Sequence, residues 1–166
     1  MKKHLGLIVS IIALSAMSLF AAKPTNFSGT WMLDESKLEA NDDGRPRMEA
    51  KKIEITQDKK IIMINRFLSN PMMGDFTVAD SLTLDGKECS SETQFGLRKS
   101  TVNWSDDKKE LTIKTTILMN WDGQENEMKA TEILGLDKKG DVLKIVATRV
   151  SPMGEMNNTI YYNKSK

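Results

Sequence analysis

From Ala50 onward the chain is a succession of short segments of period two, and the turns between them alternate in kind. Gln57-Asp58-Lys59-Lys60, Leu84-Asp85-Gly86-Lys87, Ser105-Asp106-Asp107-Lys108-Lys109 and Leu136-Asp137-Lys138-Lys139-Gly140-Asp141 are charged and water-loving. Between them lie Asn70-Pro71-Met72-Met73-Gly74, a stretch with Phe95-Gly96, Asn120-Trp121-Asp122-Gly123 and Ser151-Pro152-Met153-Gly154-Glu155-Met156. Those turns carry large apolar side chains. In an up-and-down antiparallel sheet every second turn lies at the same end. One end should therefore be polar and shut, and the other rimmed with Met, Phe and Trp, as the mouth of a ligand-binding barrel requires.

The alternation predicts strands at roughly 28–33, 50–57, 60–68, 75–84, 87–93, 97–104, 110–119, 125–135, 141–150 and 156–163. Leu111-Thr112-Ile113-Lys114-Thr115-Thr116-Ile117 alternates cleanly, and so does Leu143-Lys144-Ile145-Val146-Ala147-Thr148. One apolar and one solvated face per strand is the pattern of an antiparallel sheet. Pro occurs only at 24, 46, 71 and 152, outside strand interiors. Left open, such a meander would have two reactive edges, and closure removes them. The expected fold is all-β, an up-and-down antiparallel meander closed into a barrel of about eight to ten strands. A β-sandwich is the alternative. The pattern breaks between Asp34 and Met48. Asp34 can cap a short helix through Ser36-Lys37-Leu38-Glu39, and Asn41-Asp42-Asp43-Gly44-Arg45-Pro46 ends it. This insert leaves the first strand at the apolar end, as a lid or as a solvated crossover loop.

Residues 1–22 read as a secretory signal peptide rather than as part of the fold. Lys2 and Lys3 precede an apolar run from Leu5 to Phe20, and Ala21-Ala22 supply small residues for cleavage. The run is short and wrongly flanked for a spanning helix, the alternative being a retained anchor. No Cys follows it, so a cysteine-linked lipid anchor is not offered. The expected mature chain is one domain, 23–166, exported to a bacterial periplasm or secreted, with no integral membrane segment. The Lys-Lys start looks bacterial. The Asn-x-Ser/Thr sequons at Asn26, Asn103, Asn157 and Asn163 are then read as accidents of an Asn-rich chain.

Cleavage also removes His4, the only histidine. The mature chain then lacks an imidazole for base catalysis or metal ligation, which argues against Ser-His-Asp and Cys-His hydrolases and His-based zinc sites. No catalytic residue, metal or cofactor is assigned. Without Lys2 and Lys3, 22 of the 24 basic residues remain against 23 acidic ones, net −1. A nucleic-acid partner is not expected from that balance. Cys89 stands alone, so no internal disulfide forms. It reads as a small core residue, with a reactive thiol as the other reading.

Asn26-Phe27-Ser28-Gly29-Thr30-Trp31 opens the mature fold. Gly allows a tight backbone path, and Trp can fill a barrel floor. With Phe27, Gly29 and Trp31 the chain resembles the calycins, the lipocalin and fatty-acid-binding-protein group, whose first strand begins with a similar Phe-x-Gly-x-Trp. It looks most like the small exported bacterial proteins described as lipocalin-like. The resemblance covers the mature chain in layout and those residues in motif. It implies the barrel fold, with these residues building its floor, and identifies no ligand. Tyr162-Asn163-Lys164 resembles the closing strand of fatty-acid-binding proteins, but Ile160 stands where their Arg-x-Tyr has Arg. That departure puts carboxylate recognition of their type in doubt. In lipocalins a basic residue covers the Trp, and Lys164 is placed to do so here.

Period-two bookkeeping gives the inward polar residues. Leu143, Ile145 and Ala147 put Arg149 inside; Val102 and Trp104 put Arg98 and Ser100 inside; Phe76, Val78, Leu82 and Leu84 put Asp80 inside; Met128, Ala130 and Leu134 put Glu132 inside. Charges are rarely buried unpaired. The four form either a self-satisfied salt-bridge network or a site in which Arg98 and Arg149 hold an anionic head. Asp80 and Glu132 as catalytic carboxylates are a third possibility.

Met72, Met73, Phe95, Trp121, Met153 and Met156 form the rim set. Apolar residues converging at one end mark a binding surface, and Met suits ligands of varied shape. They could instead fold back to plug the barrel. Cu(I) capture by Met72-Met73 and Met153-x-x-Met156 is a further alternative. The resulting expectation is a barrel that takes a small apolar or amphipathic molecule, with Arg98, Arg149, Asp80, Glu132 and the rim as its site. A protein-interaction or structural envelope module with a filled barrel is the other class.

Overall fold

The computed structural model describes residues 23–38, 49–70, 74–93, 96–121, 124–152 and 154–165. The leader read at 1–22 and most of the insert, 39–48, lie outside them. Ten strands follow in order: β1 (Gly29–Leu33), β2 (Lys52–Gln57), β3 (Ile61–Asn70), β4 (Gly74–Thr83), β5 (Cys89–Thr93), β6 (Gly96–Trp104), β7 (Glu110–Trp121), β8 (Gln124–Leu136), β9 (Val142–Ser151) and β10 (Gly154–Lys164). Each pairs antiparallel with its neighbours in the chain, and β1 pairs with β10 through Trp31 and Lys164. The ladder is interrupted only between β4 and β5, where the sheet order begins and ends. The result is a nearly closed ten-stranded meander barrel, as the turn pattern predicts.

The alternation reappears as burial. Ile53 and Ile55 on β2, Ile62 and Ile64 on β3, Leu111 and Ile113 on β7, and Leu143 and Ile145 on β9 are buried, and the residues between them are more exposed. Register is unbroken from Ile61↔Thr83 to Asn70↔Gly74 and from Glu110↔Gly135 to Trp121↔Gln124. One slipped residue would put these isoleucines in water.

The polar end is shut by the segment before β1. Phe27 and Trp31 are fully buried. The Trp31 Nε1–H donates to the Phe27 carbonyl at 3.0 Å, and the Phe27 ring stacks on Trp104 with centroids 6.0 Å apart. Gln57 clamps the segment from the β2–β3 turn, accepting from Phe27 N at 3.0 Å and donating to the Thr25 carbonyl at 2.9 Å. Lys164 Nζ lies 5.2 Å from the Trp31 ring centre, a cation–π distance. Gly29 has φ +150, and a Cβ there would meet Lys164 Cε at 3.0 Å. The motif residues thus build the floor.

Two expectations are corrected. The helix after β1 is a single 3-10 turn, Glu35–Lys37, and Asp34 makes no side-chain cap to its backbone. The Asp34 carboxylate is taken by the Ser36 hydroxyl at 2.6 Å and by Lys37 Nζ at 3.0 Å, which leaves nothing for the orphan amides. The apolar turns are also shorter than read. Asn120 and Trp121 belong to β7, paired with Glu125 and Gln124. Asn70 pairs with Gly74, and Ser151 with Gly154.

Candidate functional site

All four inward-read ionisable residues face the interior. Each sits across the ladder from an inward apolar residue: Asp80 from Ile64, Arg98 from Ile117, Glu132 from Ile113 and Ala147, and Arg149 from Ala130. The structure brings Arg98 and Asp80 together, with Nη2 donating to Oδ2 at 3.1 Å. Arg98 Nε lies 3.0 Å from Asp80 Oδ1, but out of line for a hydrogen bond. Glu132 and Arg149 have other partners.

The centre of the cluster is a residue that sequence analysis missed. Arg66 on β3 donates from Nη1 to Asp80 Oδ2 at 2.5 Å and from Nη2 to Glu132 Oε2 at 2.7 Å. One planar fork thus ties β4 to the opposite wall. Burial works against the Arg66 cation, and the Glu132 and Asp80 carboxylates more than offset it, so its pKa lies above the ordinary value. The signal was present in the sequence: Ile62 and Ile64 set the phase that puts Arg66 inside. Lower in the barrel the Ser100 and Thr115 hydroxyls satisfy one another at 2.9 Å.

Arg149 is held more loosely. Its Nη1 is 3.6 Å from Glu49 Oε1, and its side chain is 33% exposed. Glu49 also accepts from Asn158 Nδ2 at 3.2 Å. Glu49 precedes β2, outside any alternating segment, so no periodicity could have placed it inside. Among the described residues the interior therefore pairs three cations, Arg66, Arg98 and Arg149, with three carboxylates, Asp80, Glu132 and Glu49. Tyr162 projects inward from β10 and is buried. Burial and the nearby Glu49 raise its phenol pKa, against the pull of Arg66. Ile160, where the fatty-acid-binding pattern has Arg, is buried and apolar.

Above this layer lies a cavity of about 580 Å³. Leu68, Phe76, Val78, Ile117 and Met128 give it apolar walls, and Arg98 and Arg149 line it with cationic groups. Its size is that of a small-molecule site, and its character, mostly apolar with a few convergent polar groups, is the usual one. Asp80 and Glu132 lie beneath it, each fixed by an arginine.

Of the rim set, Met72, Met73, Phe95 and Met153 lie outside the described residues. Trp121 ends β7. Met156 pairs with Arg149 across β9–β10, shares its face at the open end, and is 53% exposed. Among the described residues no His, Cys, Asp or Glu group is arranged to hold a metal, and no helix is long and apolar enough to cross a membrane.

No family model matches the chain, and neither a curated protein nor a solved structure is similar enough to match it.

Proposed function

We propose that this is an exported barrel protein that binds a small apolar or amphipathic molecule in the cavity at its open end. The observation that carries the reading is the combination there of about 580 Å³ of space, apolar walls and an arginine with one distant partner. Arg98 is ion-paired to Asp80 with one hydrogen bond, whereas Arg149 is 3.6 Å from Glu49 and more exposed, so Arg149 is the cation a polar head would meet first. Burying roughly 300 Å² of apolar ligand surface at about 25 cal/mol/Å² gives on the order of 7 kcal/mol gross, and ordering costs bring the expected affinity into the micromolar range. Export is supported by Lys2-Lys3, the run Leu5–Phe20 and Ala21-Ala22. The lipocalin-like assignment is supported by Phe27, Gly29 and Trp31 at the floor of a meander barrel.

Calorimetric titration with decanol, decanoate and decyltrimethylammonium tests the site. Saturable binding is expected for decanol and decanoate. Arg149→Met should weaken decanoate by about tenfold and leave decanol unchanged. No saturable binding of any of the three would sink the reading.

The three-to-three charge balance favours a second reading, in which the interior is structural and the protein acts through protein contacts at its open end. It predicts no uptake of any amphiphile.

A further inference from the structure

The interruption between β4 and β5 has a definite chemistry. Along an antiparallel strand the N–H and C=O of one residue point to the same side, and successive residues alternate. Leu84 N bonds the Lys60 carbonyl toward β3, whereas Thr83 N turns the other way, to Cys89 Sγ at 3.3 Å. The β3–β4 register has no slip, so Thr77, Ala79 and Ser81 turn their backbone groups into the seam. On the other side, Ser105 N bonds the Glu110 carbonyl toward β7. The even residues of β6 therefore bond β5 through Cys89, Ser91 and Thr93, which leaves Ser90 and Glu92 facing the seam. No backbone hydrogen bond crosses from β4 to β5 among the described residues.

The cavity reaches this seam. Phe76 and Val78 line it from inside, and the outward residues Thr77, Ala79 and Glu92 line it as well. Its lining thus includes residues of both strands that flank the interruption, β4 and β5. The β4 edge runs from Gly74 to Thr83 without Lys, Pro or bulge; its charges are Asp75 and the inward-pointing Asp80, and Asp80 is paired with Arg66 and Arg98.

We infer that the β4–β5 seam is a second binding site, for an extended polypeptide segment that adds as a strand along β4 and turns alternate apolar side chains into the cavity. An apolar chain in the seam would cover the backbone groups of Thr77, Ala79, Ser90 and Glu92 without replacing their water, at a cost. A peptide supplies donors and acceptors at the matching period, and its side chains alternate between cavity and solvent. That difference selects the occupant. The inference stands apart from the small-molecule reading, since its mark is on backbone amides rather than on Arg149.

The test is amide hydrogen exchange of the purified protein with a heptapeptide alternating valine and threonine, with a lysine at each end. A copy N-methylated at alternate residues serves as control, and decanol as an apolar occupant without a backbone. The expected result is slowing of Thr77 and Ala79 amide exchange by about tenfold or more, with Ser90 and Glu92 following, by the unmodified peptide alone. The inference is overturned if the unmodified peptide leaves these amides unchanged. It is equally overturned if the N-methylated copy or decanol protects them as well. Protection that appears without peptide and rises with protein concentration would also overturn it, by assigning the seam to a second copy of the chain.

Discussion

Arg66 on β3 and Glu132 on β8 meet across the barrel at 2.7 Å, from strands on opposite walls of the sheet. Arg66 also holds Asp80 on β4, the strand at the open seam. A ladder gap that would let the barrel splay is thus bridged from within.

Arg66→Met should therefore cost about 3–5 kcal/mol, because it leaves Glu132 buried without its cation. Adding Glu132→Gln to that variant should recover part of the loss. Urea unfolding of the two single variants and the double variant measures the coupling. A single-variant cost below about 1 kcal/mol would mean that the pair behaves as a solvated one.

The polar end carries its own pH dependence. Asp58, Asp85, Asp107 and Asp137 each sit in a charged turn, and each has a lowered pKa. The leading causes are the Lys60 amide for Asp58, the Thr83 hydroxyl for Asp85, the Ser105 hydroxyl for Asp107 and the Val142 amide for Asp137. Asp85 falls to about 2 from 3.8. A depressed carboxylate adds stability that is fully present above its unfolded pKa and is lost as pH falls through the folded one. Unfolding midpoints should hold level down to about pH 5 and then drop toward pH 2. Asp85→Asn should flatten part of that slope; an unaltered slope would remove Asp85 from the account.

At Gly96 the backbone has φ +123, and a Cβ would lie 2.0 Å from the Leu118 carbonyl oxygen. Gly96→Ala should lower stability by about 3 kcal/mol or more, because strain and a backbone clash combine. Gly140→Ala, at φ +76 with open space around it, should cost about 1 kcal/mol. Thermal melts of the two rank them, and equal losses would contradict the β6–β7 geometry.

Trp31→Ala should cost about 3–5 kcal/mol, as expected for emptying a fully buried aromatic site. Lys164→Ala, which removes the cation over the ring together with its exposed stem, should cost about 1 kcal/mol or less. Denaturant unfolding separates the two. A comparable loss at Lys164 would mean that its stem, rather than its charge, seals the floor.

The strand count and the inward placement of Asp80, Arg98, Glu132 and Arg149 were legible in the sequence, because period two and unbroken register leave each side chain one choice of face. Arg66 was legible by the same rule. Glu49 was not, since it precedes β2 and its burial follows no alternation. Pairing was equally hidden: nothing local shows that Asp80 would engage two arginines and Arg149 only a distant Glu49. The seam also escaped. Closure as a general remedy for edges says nothing of which pair fails to zip, and here the short β5 leaves β4 with a free edge. Asp34 misled because a side chain suited to capping was taken by Ser36 and Lys37 instead.

The most direct measurement is a native mass spectrum of the protein purified from its own source. The account predicts a discrete added mass that is lost on denaturation, or one that appears after exposure to a total-lipid extract. A bare polypeptide mass, with no uptake from that extract, would contradict a ligand-binding barrel.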